Sequence, residues 1–256
     1  MTKRHLLIDG DIIAYKVASA CEEPVHWGGD QWTLHADAKE GKIQVDNFIE
    51  MLQDELTASK VSVYLSSPKN FRKELYPEYK ANRKSVRKPM ILPALRDHMK
   101  KEWQALCEDR LEADDYIGIE ATVKDAYDRI VVSVDKDFKT VPCRLFNPDK
   151  ADEGILTINE GAAFYNHMIQ TLTGDSTDNY GGCPKVGPKT AEKILGKLVN
   201  RQSFGHTWDA VKETFNKSGV TSPKAILTQA RMAYILRSDD YDFQTKEVKL
   251  WNPPQK

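Results

Sequence analysis

The stretch RIVVSV, residues 129–134, constrains the fold more than any other part of the chain. It is β-branched and almost continuously apolar, so a strand made from it has no face to offer water. Such a strand belongs at the centre of a parallel sheet covered on both sides. Parallel neighbours need crossover connections, and the sequence supplies them. HLLID (5–9) is a short apolar run ending in an acid before Gly10, a strand entering a tight turn. IQVDNFIEMLQDEL (43–56) sets Val45, Phe48, Ile49, Leu52 and Leu56 at helical spacing, and KVSVYLS (60–66) reads as the next strand. LEADDYIGIEATVKDAY (111–127) opens on carboxylates and continues as a helix with Ile117 and Ala121 inward; CRLF (143–146) is a shorter strand. From there the pattern turns helical, over 159–172, 188–199 and 222–237. Residues 19–42, rich in Gly, His, Trp and acids, read as a long loop or a small hairpin. The expectation is an α/β core over 1–158 with a mostly parallel sheet, continued by a packed helical extension over 159–256.

A chain of 256 residues can bury a substantial core. No apolar run approaches the roughly 18 residues of a membrane span, and the apolar run in MTKRHLLIDGD is too short for a signal peptide. Cys21, Cys107, Cys143 and Cys183 are scattered without zinc or disulfide spacing, which suits a reduced, cytoplasmic setting. The net charge of −1 conceals a strong asymmetry. Between Lys69 and Lys88, eight Lys or Arg stand against two Glu, a local +6, while acids gather in knots elsewhere. One region suits holding a polyanion and the other working on it. The plainer alternative is a polar protein with uneven charge.

The acids fall where an open parallel sheet binds ligands, beyond the carboxyl ends of its strands. Asp9 ends the first strand; Asp135 and Asp137 follow the central one. Glu112 and Asp115 share a face at a helix start, with Asp114 about 100° round from Asp115. Asp175 and Asp178 lie in GDSTDN. Each acid taken alone has a structural explanation as a turn or helix cap, but caps do not easily explain all the knots together. Converging carboxylates repel unless a cation sits among them. Oxygen ligands without His or Cys suit magnesium or manganese rather than zinc. Two such ions about 4 Å apart activate water and stabilise the leaving oxygen of a phosphodiester. In the basic run, Arg72, Lys73, Lys80, Arg83, Lys84, Arg87 and Lys88 can neutralise phosphates, while Tyr76 and Tyr79 stack on a base or simply pack. In GGCPKVGPK, Gly181, Gly182 and Gly187 permit close backbone approach, Pro188 suits a helix's first turn, and Lys185 and Lys189 add charge.

LLIDGD, FRKELYPEYKANRK, EADD, VVSVDKDFKT, TGDSTDNYGGCPKVGPKTA and ARMAYILR occur in an order that resembles the 5′→3′ exonuclease and flap endonuclease family, in particular the compact exonucleases of tailed bacteriophages. The resemblance implies a PIN-like nuclease core and a site of two magnesium ions, with manganese able to substitute. Its ligands, direct or through water, would come from Asp9, Glu112, Asp114, Asp115, Asp135, Asp137, Asp175 and Asp178. It implies a short basic gateway at about 69–103, from which Lys80 and Arg83 contact the scissile phosphate. It also implies a helix–three-turn–helix element at about 174–199 that grips duplex DNA and holds a monovalent cation such as potassium.

One position departs from the family. Where relatives carry an aspartate at the end of the second strand, this chain has Ser66 and Ser67. Either that metal is held less tightly or through water, or Asp30 or Asp37 fills the gap. The expected activity is 5′→3′ exonuclease on double-stranded DNA with a 5′ end or flap, with RNA–DNA hybrid cleavage compatible, in replication or primer removal. The expected enzyme is a monomer, working beside replication proteins. Rivals are a mainly structure-specific flap endonuclease, a small PIN-like ribonuclease, and a DNA-binding scaffold that lost a metal at Ser67.

Overall fold

The computed structural model describes residues 3–196 and 204–254. In chain order, β1 (Lys3–Asp9) runs into α1 (Gly10–Ala20), the hairpin β2 (Glu23–His26) and β3 (Trp32–His35), α2 (Ala38–Glu55) and β4 (Lys60–Tyr64). The basic region follows as α3 (Phe71–Leu75), a 3₁₀ turn (Ala81–Ser85) and α4 (Leu92–Glu102). Next come α5 (Ala113–Ala121), β5 (Tyr127–Val132), a 3₁₀ turn (Lys136–Thr140), β6 (Arg144–Phe146) and β7 (Ile155–Thr157). The chain continues through α6 (Glu160–Thr173), α7 (Pro188–Leu195), α8 (Phe204–Lys217), α9 (Pro223–Met232) and a small ladder, β8 (Tyr241–Asp242) with β9 (Glu247–Val248). Part of the expected 188–199 helix lies outside the described residues.

The sheet has the order β4-β1-β5-β6-β7, parallel throughout except for β7. Alternation along its strands divides the core. Leu6, Ile8, Val63, Ile130 and Val132 pack on one side against Ile13 of α1, Val45 and Ile49 of α2, and Leu95 and Met99 of α4. Leu7, Val131 and Leu145 pack on the other against Ile117 of α5, Phe138 and Ala163. A further cluster joins Met168 and Leu172 of α6 to Leu195, Val211 and Ile226 of the following helices. Among the described residues, no helix is long and apolar enough to cross a membrane.

Several elements differ from the sequence reading, each for a local reason. The first strand enters a helix rather than a simple turn, because the Asp9 carboxylate accepts the Ile12 amide and caps α1. Gly10 is required there: a β-carbon would lie 2.6 Å from Val63 and 2.9 Å from the Tyr64 carbonyl. The 111–127 helix stops at Ala121, where the Thr122 hydroxyl turns back to the Gly118 and Ile119 carbonyls. The 222–237 helix stops at Met232, freeing the Tyr234 carbonyl and the Leu236 amide for partners elsewhere in the sequence.

Candidate metal and nucleic-acid site

Past the carboxyl ends of β1, β4 and β5 lies a cleft of about 430 Å³. Its wall holds eight carboxylates, Asp9, Asp11, Glu112, Asp114, Asp135, Asp137, Asp175 and Asp178, against three cations, Lys80, Arg83 and Lys136. Several of these acids also cap turns. Asp135 accepts the Asp137 amide at 2.8 Å, and Asp175 accepts the Thr177 amide at 2.7 Å. Capping and lining the cleft are therefore compatible, because a carboxylate has two oxygens.

Two of the cations, Lys80 and Arg83, come from the basic region, while Lys136, on the turn after β5, lies 3.5 Å from Asp175 Oδ2. Lys80 adopts a left-handed backbone (φ 54°) at the head of the 3₁₀ turn, and its amide donates to the Asp178 carbonyl at 2.9 Å. Its ammonium donates to Glu112 Oε1 at 2.5 Å and lies 3.5 Å from Asp178 Oδ2. Arg83 donates to Asp178 Oδ1 at 2.5 Å and to the Thr177 carbonyl at 3.1 Å. The Tyr79 hydroxyl lies 2.9 Å from both Glu112 Oε2 and Asp178 Oδ2, donating to one at a time. Tyr79 is buried, so it packs and bridges acids rather than stacking on a base.

Arg72 corrects the sequence reading. It is 1% exposed and binds inward, to Asp115 at 2.6 and 2.7 Å, to Glu112 at 3.1 Å, and to the Met232 and Tyr234 carbonyls. A guanidinium so placed cannot reach a phosphate; it fastens the acidic helix from behind. Glu112, Asp114 and Asp115 each offer a ligand oxygen within 4.8 Å of the others, a grouping able to hold a divalent metal. Within that trio Asp115 is fully buried and uses both oxygens on Arg72, whereas Glu112 and Asp114 also line the cleft.

Charge balance differs across the cleft. Burial alone would raise the Glu112 carboxyl, but Lys80 and Arg72 hold it down at about 2. Burial, with Asp135 nearby, pushes Asp9 up to about 7. Burial and Asp135 likewise bring Asp137 to about 6, although Gln170 donates to it at 2.7 Å. Asp114 is raised well above the usual carboxylate range by burial, Glu112 and Asp115. Asp9, Asp114 and Asp137 stay raised even with Lys80 and Lys136 nearby, which fits a site built around a hard divalent ion with oxygen donors only.

The rest of the expected DNA-binding set divides. Lys73, Lys84 and Lys88 are exposed on the basic region, while Arg87 is bidentate to Glu22 before the hairpin, at 2.7 and 2.5 Å. Lys185, Gly187 and Lys189 are exposed on the turn into α7. Gly182 serves packing instead, a correction: its φ is +61°, a β-carbon would lie 2.3 Å from the Gly174 nitrogen, and its amide donates to Gln229. Asp30 and Asp37 do not fill the gap at the second strand. Asp30 is exposed in the hairpin loop, Asp37 caps α2, and neither lines the cleft. Ser66, rather than Ser67, reaches the cleft. Sequence reading missed Asp11 and Lys136. Asp11 follows Asp9 at a spacing of two, a signal hidden by the expectation of a turn at Gly10.

Residues 4–153 match the family described as 5′–3′ exonuclease, N-terminal resolvase-like domain, and the chain belongs to that family. The exonuclease of Escherichia phage T7 is 32% identical, over 97% of this chain and 93% of that protein. The exodeoxyribonuclease of Enterobacteria phage T3 is 30% identical, over 97% of this chain and 92% of that protein. In fold, the D15 protein of T5, crystallised with metal ions, superposes with a TM-score of 0.64 over 90% of this chain and 89% of that one, at 16% identity. The chain is thus a nuclease by family, with a carboxylate cluster able to hold a divalent metal.

Proposed function

We propose that the protein is a magnesium-dependent 5′→3′ exodeoxyribonuclease acting on double-stranded DNA, with flap and RNA–DNA hybrid cleavage at the same site, in replication or primer removal. The observation that carries this reading is the cleft itself, with eight acids and three cations, the Lys80–Arg83 pair among them. Two ions, magnesium or manganese, would be held by Asp9, Glu112, Asp114, Asp135, Asp137, Asp175 and Asp178, with Asp115 bracing the group. Bound there, such ions supply an activated water and stabilise the leaving oxygen.

The chain's own residues do the rest. Lys80 and Arg83 now bind Glu112 and Asp178. A phosphate entering the cleft competes for those N–H groups, whose charge then stabilises the pentacovalent state. Lys73, Lys84, Arg87 and Lys88 track the backbone towards the cut. Lys185, Gly187 and Lys189, at the head of α7, form the duplex grip of a helix–three-turn–helix element, which would also hold potassium. Phosphate contacts position without specifying sequence, so unrelated duplexes are digested at similar rates. The test is digestion of a 5′-labelled duplex beside flap and hybrid substrates, at matched salt, with magnesium or chelator. Metal-dependent release from the 5′ end supports the reading. DNA binding without cleavage of any substrate would replace it with the scaffold.

A further inference from the structure

We infer that Arg96 is a positioning residue for the metal-binding acids, acting through Asp11 and Ser66. The inference rests on the nuclease reading and concerns the corner of the cleft where β4 runs out into a serine rather than an acid.

Ser66 is held on every polar group that it has. Its amide donates to Asp11 Oδ2 at 2.8 Å, and its carbonyl accepts from Arg96 Nη2 at 2.8 Å. Arg96 Nη1 in turn pairs with Asp11 Oδ1. One ion pair, drawn from the first turn of α1 and from α4, therefore grips both backbone groups of a single residue. The Ser66 hydroxyl accepts the Ala113 amide at 2.9 Å. That amide opens α5 and has no partner within the helix. Glu112 precedes it and Asp114 follows it. A continuous path of short contacts thus runs from α4, the helix that ends the basic region, to the acids of α5.

Two consequences follow from the chemistry. The pair is neutral in sum, so this corner adds no repulsion to a cleft already rich in acid, as a carboxylate at position 66 would. Because the serine oxygen accepts from Ala113, its own proton remains to be donated into the cleft that Ser66 lines. Asp11 and Arg96 are each 25% exposed, so solvent screens their pairing only in part. Lys cannot replace Arg here, since one ammonium does not supply the planar fork that reaches both Asp11 and the Ser66 carbonyl.

The experiment uses the full chain and four variants, Arg96→Gln, Arg96→Lys, Asp11→Asn and their Asp11→Asn/Arg96→Gln double, with Ser66→Ala beside them. Manganese binding is measured calorimetrically without DNA, duplex binding in calcium, and single-turnover cleavage in magnesium. Arg96→Gln and Asp11→Asn are each expected to weaken manganese binding and lower the saturated rate by about tenfold, the scale of one charge-assisted hydrogen-bonded pair. Duplex affinity should stay within about twofold, the double should be no worse than the poorer single, and Lys should not restore the rate. Ser66→Ala leaves the ion pair intact and should weaken manganese binding similarly, so a variant that fails to fold does not protect the inference. Wild-type manganese binding and rate in the Arg96 and Ser66 variants, with only the melting temperature lowered, would overturn it. Additive losses in the double would do the same. If the wild type cuts no substrate, the nuclease reading fails, and manganese calorimetry still decides whether Arg96 positions the acids.

Discussion

The two sides of the cleft solve the problem of crowded carboxylates differently. On the basic-region side, Glu112 and Asp178 already have Lys80, Arg83 and the buried Arg72 as counter-charges. On the other side, burial and Asp135 raise the carboxyls of Asp9 and Asp137, and burial, Glu112 and Asp115 raise that of Asp114. The first side is stable as it stands. The second is where an added divalent ion would relieve the most repulsion, although Glu112 and Asp178 would share in holding it.

Substitutions should break that contrast in order of size. Asp135→Asn, or Asp178→Asn on the opposite side, should abolish single-turnover cleavage while most DNA binding survives. Near-wild-type turnover in either, or activity in chelator, would sink the assignment. Arg72→Met should come next, as a loss of stability. Removing one partner of a buried ion pair leaves Asp115 uncompensated, at a cost of about 3–5 kcal/mol, read as a lower midpoint in urea. Lys80→Ala should lower the saturated rate by roughly 10²-fold, comparable to losing one donor from a charge-stabilising site, with duplex affinity in calcium little changed.

The contrast also fixes a pH dependence. Asp9 titrates near 7 in the fold, above its ordinary value of 3.8. Between those values the folded chain binds more protons than the unfolded one, so this group's contribution to metal-free stability falls as pH rises towards 7. A divalent ion held by Asp9 would displace that proton. The rise in melting temperature caused by manganese should therefore be larger at pH 8 than at pH 5, and Asp9→Asn should flatten the difference. An equal rise at both pH values would mean that Asp9 does not meet the ion. The smallest effect belongs to Lys185→Ala and Lys189→Ala, remote from both sides in role. Each should weaken duplex binding and reduce its salt dependence by about one unit per phosphate contact, leaving the saturated rate intact.

The sheet and most of its acids were legible because their signals are local. A β-branched run such as RIVVSV has one environment that suits it, and a carboxylate at a strand end needs only that strand to be placed. Arg72 was misread because a charge run reports an average. Its burial depends on the Met232 and Tyr234 carbonyls, 160 and 162 residues away. Asp11 was hidden because α1 opens with acid and glycine, a turn signal, and of its many apolar residues only Ile13, Ala14 and Ala18 are buried. Ser66 was noticed as an absence, and its hold on Ala113 is visible only once α5 lies against the end of β4.

The reach of Arg72 also sets a timetable. Its guanidinium is satisfied by Asp115 from the middle of the chain and by carbonyls near its end, at positions 232 and 234. Until that stretch has left the ribosome, the arginine has Asp115 and Glu112 as acceptors but not the two carbonyls. Asp178, too, follows both the strand that ends in Asp9 and the turn that Asp135 caps. All five strands of the sheet are therefore synthesised before the residues that finish the wall of the cleft.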